Sequence, residues 1–254
     1  MSHIWADEAG GASQPLIALV HGSMDRSAGM LRLSRQLDHQ FRVLRYDRRG
    51  YGRSAPHPGP FGMDGQVDDL LALLAGRRAV VVGHSYGGDV ALAAAERDPQ
   101  LVVGVAVYET PMSWLPWWPG HTAGSRAVAA GGDPRAAAEA FLRRMLGDSR
   151  WEALPERTRR TRRAEGVAMV GELSDLRRHP PWDAERITVP VLASYGSLGA
   201  EHHRRGMTHA AELLGCPLVE LAGCQHDAPM SAPALFRSDV IEPLLTKVGA
   251  PWAP

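Results

Sequence analysis

Long apolar runs are missing from this 254-residue chain; none approaches the ~20 residues needed to cross a bilayer. Cysteine is nearly absent. Cys216 and Cys224 are too few for a disulfide framework and read as reduced, buried thiols of an intracellular protein. Neither sign of charge is in excess, with 28 Lys+Arg against 28 Asp+Glu, so neither nucleic acid nor an anionic membrane is an expected partner. Lys247 is the single lysine, a compositional bias with no functional reading. Residues 1–14 carry acidic side chains and no apolar core, so no secretory signal is visible. A soluble, cytoplasmic globular protein is expected, of a length that suits one large α/β domain or at most two small ones.

What is present centres on residues 79–96. Val80, Val81 and Val82 form a β-branched run without polar alternation, the pattern of a strand covered on both faces. Ala91 onward is helix-forming sequence, ended by Asp98-Pro99. Between strand and helix stands Gly83-His84-Ser85-Tyr86-Gly87, a G-x-S-x-G turn that pushes a serine hydroxyl clear of the backbone. The free N–H groups of the following helix point at the same spot, where negative charge would develop. Earlier, residues 16–20 read as a strand running into His21-Gly22-Ser23-Met24. The backbone N–H groups of Ser23 and Tyr86 are the expected oxyanion hole. His21 is read as bracing this loop at the edge of the pocket, with Met24 beside it.

Helices are expected over residues 29–37 and 63–74, the second with Asp68 and Asp69 on a solvated face, and a strand over 41–46. Asp47, flanked by Arg48 and Arg49, reads as a loop-bracing carboxylate. Further strands are expected over 101–108, 189–195 and 218–221, a helix over 207–214, and a terminal helix through 236–245.

His21-Gly22, Asp47-Arg48-Arg49-Gly50-Tyr51-Gly52-Arg53-Ser54, Gly83-His84-Ser85-Tyr86-Gly87 and Gly223-Cys224-Gln225-His226 occur in an order and spacing that resembles the α/β-hydrolase superfamily. The resemblance spans nearly the whole chain. It implies a mostly parallel eight-stranded sheet wrapped by helices, with no cofactor and no metal. Residues 112–182 contain no strand-like segment and hold five of the seven tryptophans, and they look like the helical lid of lid-bearing members. The core domain would then comprise residues 1–111 and 183–254. Within the lid, helices are expected over 134–146, with Asp133 as N-cap, and over 157–178, whose arginines read as an outer solvated face. Trp151 and Trp182 read as lid core; Trp114, Trp117 and Trp118 follow a strand end and are expected to line a substrate pocket.

The resemblance makes Ser85 the nucleophile and His226 the base, since a serine needs an adjacent base to attack. A serine, in place of the family's alternative aspartate, argues against alkyl-enzyme chemistry. The family usually sets an Asp three residues after the glycine that follows the 189–195 strand, here Gly196, but that position is Gly199. Glu109, at the end of the strand beside the nucleophile, is the favoured acid; Glu201 is the alternative. His202 and His203 read as surface histidines. The expected activity is cofactor-independent cleavage of a carboxylic ester or related acyl bond in a small-molecule substrate, by a monomer or homodimer. C–C bond hydrolysis, thioester hydrolysis, or a lyase or ligand-binding role on the same scaffold remain alternatives.

Overall fold

Strand burial on both faces dictates the architecture. The computed structural model describes residues 3–249. Its strands are β1 (Ala6–Ala9), β2 (Leu16–Val20), β3 (Arg42–Tyr46), β4 (Ala79–His84), β5 (Val102–Tyr108), β6 (Val191–Gly196) and β7 (Leu218–Leu221). They form one sheet in the order β1-β3-β2-β4-β5-β6-β7. β1 pairs antiparallel with β3, and every other pairing is parallel. Eight strands were expected and seven form among the described residues; residues 3–15 leave room for one strand ahead of β2, and β1 takes it.

Alternate residues of the central strands feed two apolar layers. Ile17, Leu19, Val80, Val82 and Ala106 pack with Leu33 and Leu37 of α1 (Leu31–Leu37). The same layer takes Phe236, Val240 and Leu244, from the carboxy-terminal helical run α10 (Ala228–Ser231), α11 (Pro233–Phe236), a π turn (Arg237–Ile241) and α12 (Glu242–Val248). Ala18, Val20, Val81, Val105 and Val107 face the other way, against α2 (Met63–Leu74) and α3 (Tyr86–Arg97). β4 and β5 are buried along their entire lengths.

Between β5 and β6 the chain is helical: α4 (Ala123–Ala129), α5 (Pro134–Leu146), α6 (Asp148–Glu152), α7 (Glu156–Ala164) and α8 (Gly166–Leu176). Asp133 caps α5, its carboxylate accepting from Arg135 N at 2.9 Å. The single helix expected over 157–178 is two, because Glu165 at the junction turns inward to accept from Arg26 (2.6 Å) and Gly52 N (2.8 Å). Arg162 is not on a solvated face either; its guanidinium donates to Glu165 and to Met24 O. Asp69 likewise is drawn in, accepting two bonds from Arg49 at 2.7 and 2.8 Å. α9 (Glu201–Leu214) begins six residues earlier than expected. That places His203 on its buried side with Met207, Ala210 and Ala211.

Candidate active site

The turn after β4 is set by close approach. A Cβ at Gly83 would lie 2.4 Å from the Gly87 carbonyl oxygen, so only glycine lets the chain reverse this tightly. Ser85 is held at φ 53°, ψ −128°, a conformation that side-chain-bearing residues seldom adopt and that costs of order 1–3 kcal/mol. Backbone bonds over-determine it: Ser85 N donates to Tyr108 O (2.9 Å) and Gly88 N donates to Ser85 O (2.8 Å). Tyr86 opens α3, so its N–H has no acceptor within the helix.

Glu109 follows β5 directly and is also at positive φ, 48°. Its carboxylate is fully buried. Oε1 accepts from Gly196 N at 3.0 Å, and Oε2 lies 2.6 Å from His226 Nδ1, a short charge-assisted contact. A carboxylate only accepts, so His226 carries its proton on Nδ1 and leaves Nε2 as the basic nitrogen. A Cβ at position 199 would come within 2.3 Å of Glu109 Oε1. The space in which the family's usual aspartate would begin is therefore filled by the glutamate arriving from β5, and glycine at 199 admits it. Glu201, the alternative acid, is exposed and paired with Arg204 at 2.9 Å, away from His226 Nδ1.

The loop that carries His226 is pinned at three points. Tyr108 Oη donates to Gln225 O (2.6 Å), His84 Nε2 donates to His226 O (2.8 Å), and Leu198 N donates to Cys224 O (2.9 Å). His84 is buried, and desolvation lowers its pKa to about 3, so it stays neutral. His203 stacks on the His226 ring, centroids 4.5 Å apart at 19°. Burial, with His226 beside it, holds His203 well below the usual histidine range. It is not the surface histidine expected; the spacing 203, 207, 210, 211 is the helical signal that puts it on the inner face of α9. Glu109, His203 and His226 bring their ligand atoms within 4.8 Å of one another, yet stacked rings hold their nitrogens in parallel planes, an arrangement ill suited to a shared ion.

Ser85 and His226 open on one cavity of about 640 Å³, with Ser23, Trp117, Trp118 and Leu198 among its walls. Among the described residues Ser85 Oγ makes no hydrogen bond to His226. Three expected lining residues are elsewhere. His21 is buried behind the loop, donating from Nδ1 to Gly22 O (2.8 Å) and accepting Arg48 N at Nε2 (2.9 Å). Met24 is buried at positive φ (55°), directed into the core. Trp114 packs edge-on against Trp182 at 5.8 Å, on a separate surface cleft. Phe141 and Leu173, which sequence reading missed, supply apolar wall instead. Asp47 does brace its loop, accepting from Ser27 N (2.8 Å) and Arg53 N (2.9 Å).

A profile described as the alpha/beta hydrolase family matches residues 17–239. The structure is similar to the enol-lactonase of Burkholderia xenovorans LB400, at TM-score 0.72 and 25% identity over 96% of each chain. Among curated proteins, mouse Epoxide hydrolase 4 is 31% identical over 108 residues, covering 41% of this chain and 30% of that protein. The 2-(acetamidomethylene)succinate hydrolase of Mesorhizobium japonicum is 32% identical over 100 residues, 38% of this chain and 36% of that protein. Across the first curated relatives the matched stretch spans 27–36% of their length. Sheet topology, the turn at Ser85 and the profile match over most of the chain lead to one conclusion: this protein belongs to the alpha/beta hydrolase family.

Proposed function

We propose that this protein is a serine hydrolase that cleaves a carboxylic ester or related acyl bond, using Ser85, His226 and Glu109 with no cofactor. The observation that carries it is the Glu109–His226 hydrogen bond of 2.6 Å, one end fully buried and the other opening on the cavity that Ser85 shares. In this reading Ser85 Oγ attacks the acyl carbon as its proton passes to His226 Nε2. Glu109 holds the tautomer and stabilises the imidazolium. The backbone N–H groups of Ser23 and Tyr86 receive the developing oxyanion. His226 returns the proton to the leaving oxygen, and the acyl-enzyme is then hydrolysed by a water that His226 deprotonates.

Residues 112–182 are the lid in this account, with Trp117 and Trp118 meeting the acyl group. A serine at position 85 does not supply the carboxylate that alkyl-enzyme chemistry needs, so epoxide opening is not proposed despite the mouse relative. An enol-lactone is a cyclic ester, and the lactonase named above therefore agrees with the proposed bond class.

A fluorophosphonate probe tests the proposal. Wild-type protein should be labelled at Ser85 within minutes and should hydrolyse p-nitrophenyl esters. Ser85→Ala should lose both, with kcat down on the order of 10⁶. Ester turnover surviving in Ser85→Ala would remove the serine mechanism.

A further inference from the structure

Arg177 closes α8 and is half-buried on the wall of the same cavity. Its Nη1 donates to Leu173 O (2.6 Å) and its Nη2 to Ser125 Oγ (3.2 Å), which uses two of five N–H donors. Among the described residues no carboxylate pairs with it. Among the described residues, every other buried or half-buried arginine has one: Arg26 and Arg162 share Glu165, Arg48 has Glu172, Arg49 has Asp69, and the rest follow suit. A cation withdrawn from water without a counter-charge is costly. Burial indeed pulls the Arg177 pKa below its ordinary value, with no acid to restore it.

The surroundings carry the same sign. Arg144 and Arg205 also line the cavity and form no ion pair among the described residues, while Glu201, on the same wall, is neutralised by Arg204. Arg205 is held over the Trp117 ring, 4.2 Å from its centroid. In a chain of zero net charge, three arginines with no ion pair among the described residues line the cavity that holds Ser85 and His226.

We propose that the substrate carries a carboxylate in addition to its scissile acyl bond, and that Arg177 is the residue that binds it. The proposal rests on the serine-hydrolase reading of this cavity. Three of its five N–H groups are left for a ligand, and a guanidinium matches the two oxygens of a carboxylate. A phosphate dianion, with three terminal oxygens, would leave acceptors unmet at this single half-buried group.

Two ester pairs, similar in shape within each pair and differing chiefly in charge, provide the test. p-Nitrophenyl hemiglutarate is set against p-nitrophenyl 5-methylhexanoate, and 4-acetoxybenzoate against its methyl ester, so that the carboxylate lies on the acyl or the leaving side. Wild-type protein should favour a charged member at least about tenfold in kcat/KM, mainly through KM, as a charge-assisted hydrogen bond requires. In Arg177→Gln that preference should shrink to within about twofold. Uncharged members favoured in both pairs, or a preference that Arg177→Gln leaves intact, would overturn the proposal. So would a phosphate-bearing analogue, 4-acetoxyphenyl phosphate, outrunning both carboxylates.

Calorimetry on Ser85→Ala reads the same contrast without turnover or an Arg177 variant. Tighter binding of a charged ester by about tenfold or more supports the proposal even if no ester is cleaved, and equal binding contradicts it. Failure of the serine mechanism is seen separately, as an unlabelled Ser85.

Discussion

Glu109 and Glu172 are both fully buried glutamates bound to a basic side chain, in two regions of the molecule that behave differently. Glu172, on α8, reaches down to Arg48 (2.6 Å), Tyr51 Oη (2.6 Å) and Ser23 Oγ (2.6 Å). Arg48 and Glu172 are both shut off from solvent, and a guanidinium does not give up its proton. That region ties the helical segment to the loop behind the proposed oxyanion hole. Glu109 instead faces an imidazole that is 24% exposed and whose second nitrogen is free to exchange a proton. Depth of burial therefore does not single out a catalytic acid. What its partner can do with a proton, and whether substrate can reach that partner, does.

The largest expected effect breaks this contrast from one side. Glu109→Gln should lower kcat on a p-nitrophenyl ester by roughly 10³–10⁴, because an amide of the same shape can hold the wrong histidine tautomer. Glu201→Gln should stay within about threefold, since that carboxylate only pairs with Arg204 at the surface. Saturating-substrate kinetics on the two variants checks both.

Glu172→Gln attacks the other side. It strands the Arg48 charge in the interior and should cost about 3–5 kcal/mol of stability, read by denaturant unfolding. Loss below about 1 kcal/mol would mean that the pair is not the anchor described.

Next in size is substrate preference. Trp118→Ala or Trp117→Ala should shift relative kcat/KM along an acyl-length series by roughly 10-fold or more, the range of one or two methylenes in an apolar pocket. Trp114→Ala should leave that ranking in place, because its ring packs against Trp182.

The smallest effect concerns pH. His84 has a folded pKa of about 3, below the ordinary histidine value, so between about pH 6.5 and 3 the unfolded chain binds a proton that the folded chain refuses. Stability contributed by this site is thus lost as pH falls through that window. Asp25 and Asp89, whose pKa values burial raises, act in the opposite direction. Comparison with His84→Gln cancels them: the variant should show a shallower decline between pH 6.5 and 5, by about 1 kcal/mol per pH unit. Parallel curves would contradict a neutral, buried His84.

Strands β2 to β7 were legible because each carries its signal locally. Residues 16–20 and 218–221 agree with β2 and β7 to the residue, as do 63–74 and 134–146 with α2 and α5. β1 was not legible, since Ala6-Asp7-Glu8-Ala9 has no apolar alternation and is held at the sheet edge by Arg42, Arg45 and Arg77. The proposed triad, Ser85, His226 and Glu109, is read from motif and strand position. The cavity wall is not. Trp114 and Trp118 are four residues apart in one loop yet face different clefts, and Phe141 and Leu173 arrive from distant helices. The Arg177 exception is invisible in one dimension too, because it consists of a partner that, among the described residues, every comparable arginine has and this one lacks.

The central claim is that Glu109, and no other acid, orients His226. The most direct measurement is the nuclear magnetic resonance signal of the His226 Nδ1 proton. A proton held in a 2.6 Å bond to a carboxylate should resonate far downfield in wild-type protein and persist in Glu201→Gln. In Glu109→Gln it should move upfield or vanish through exchange. A downfield signal that survives Glu109→Gln and disappears in Glu201→Gln would contradict the account.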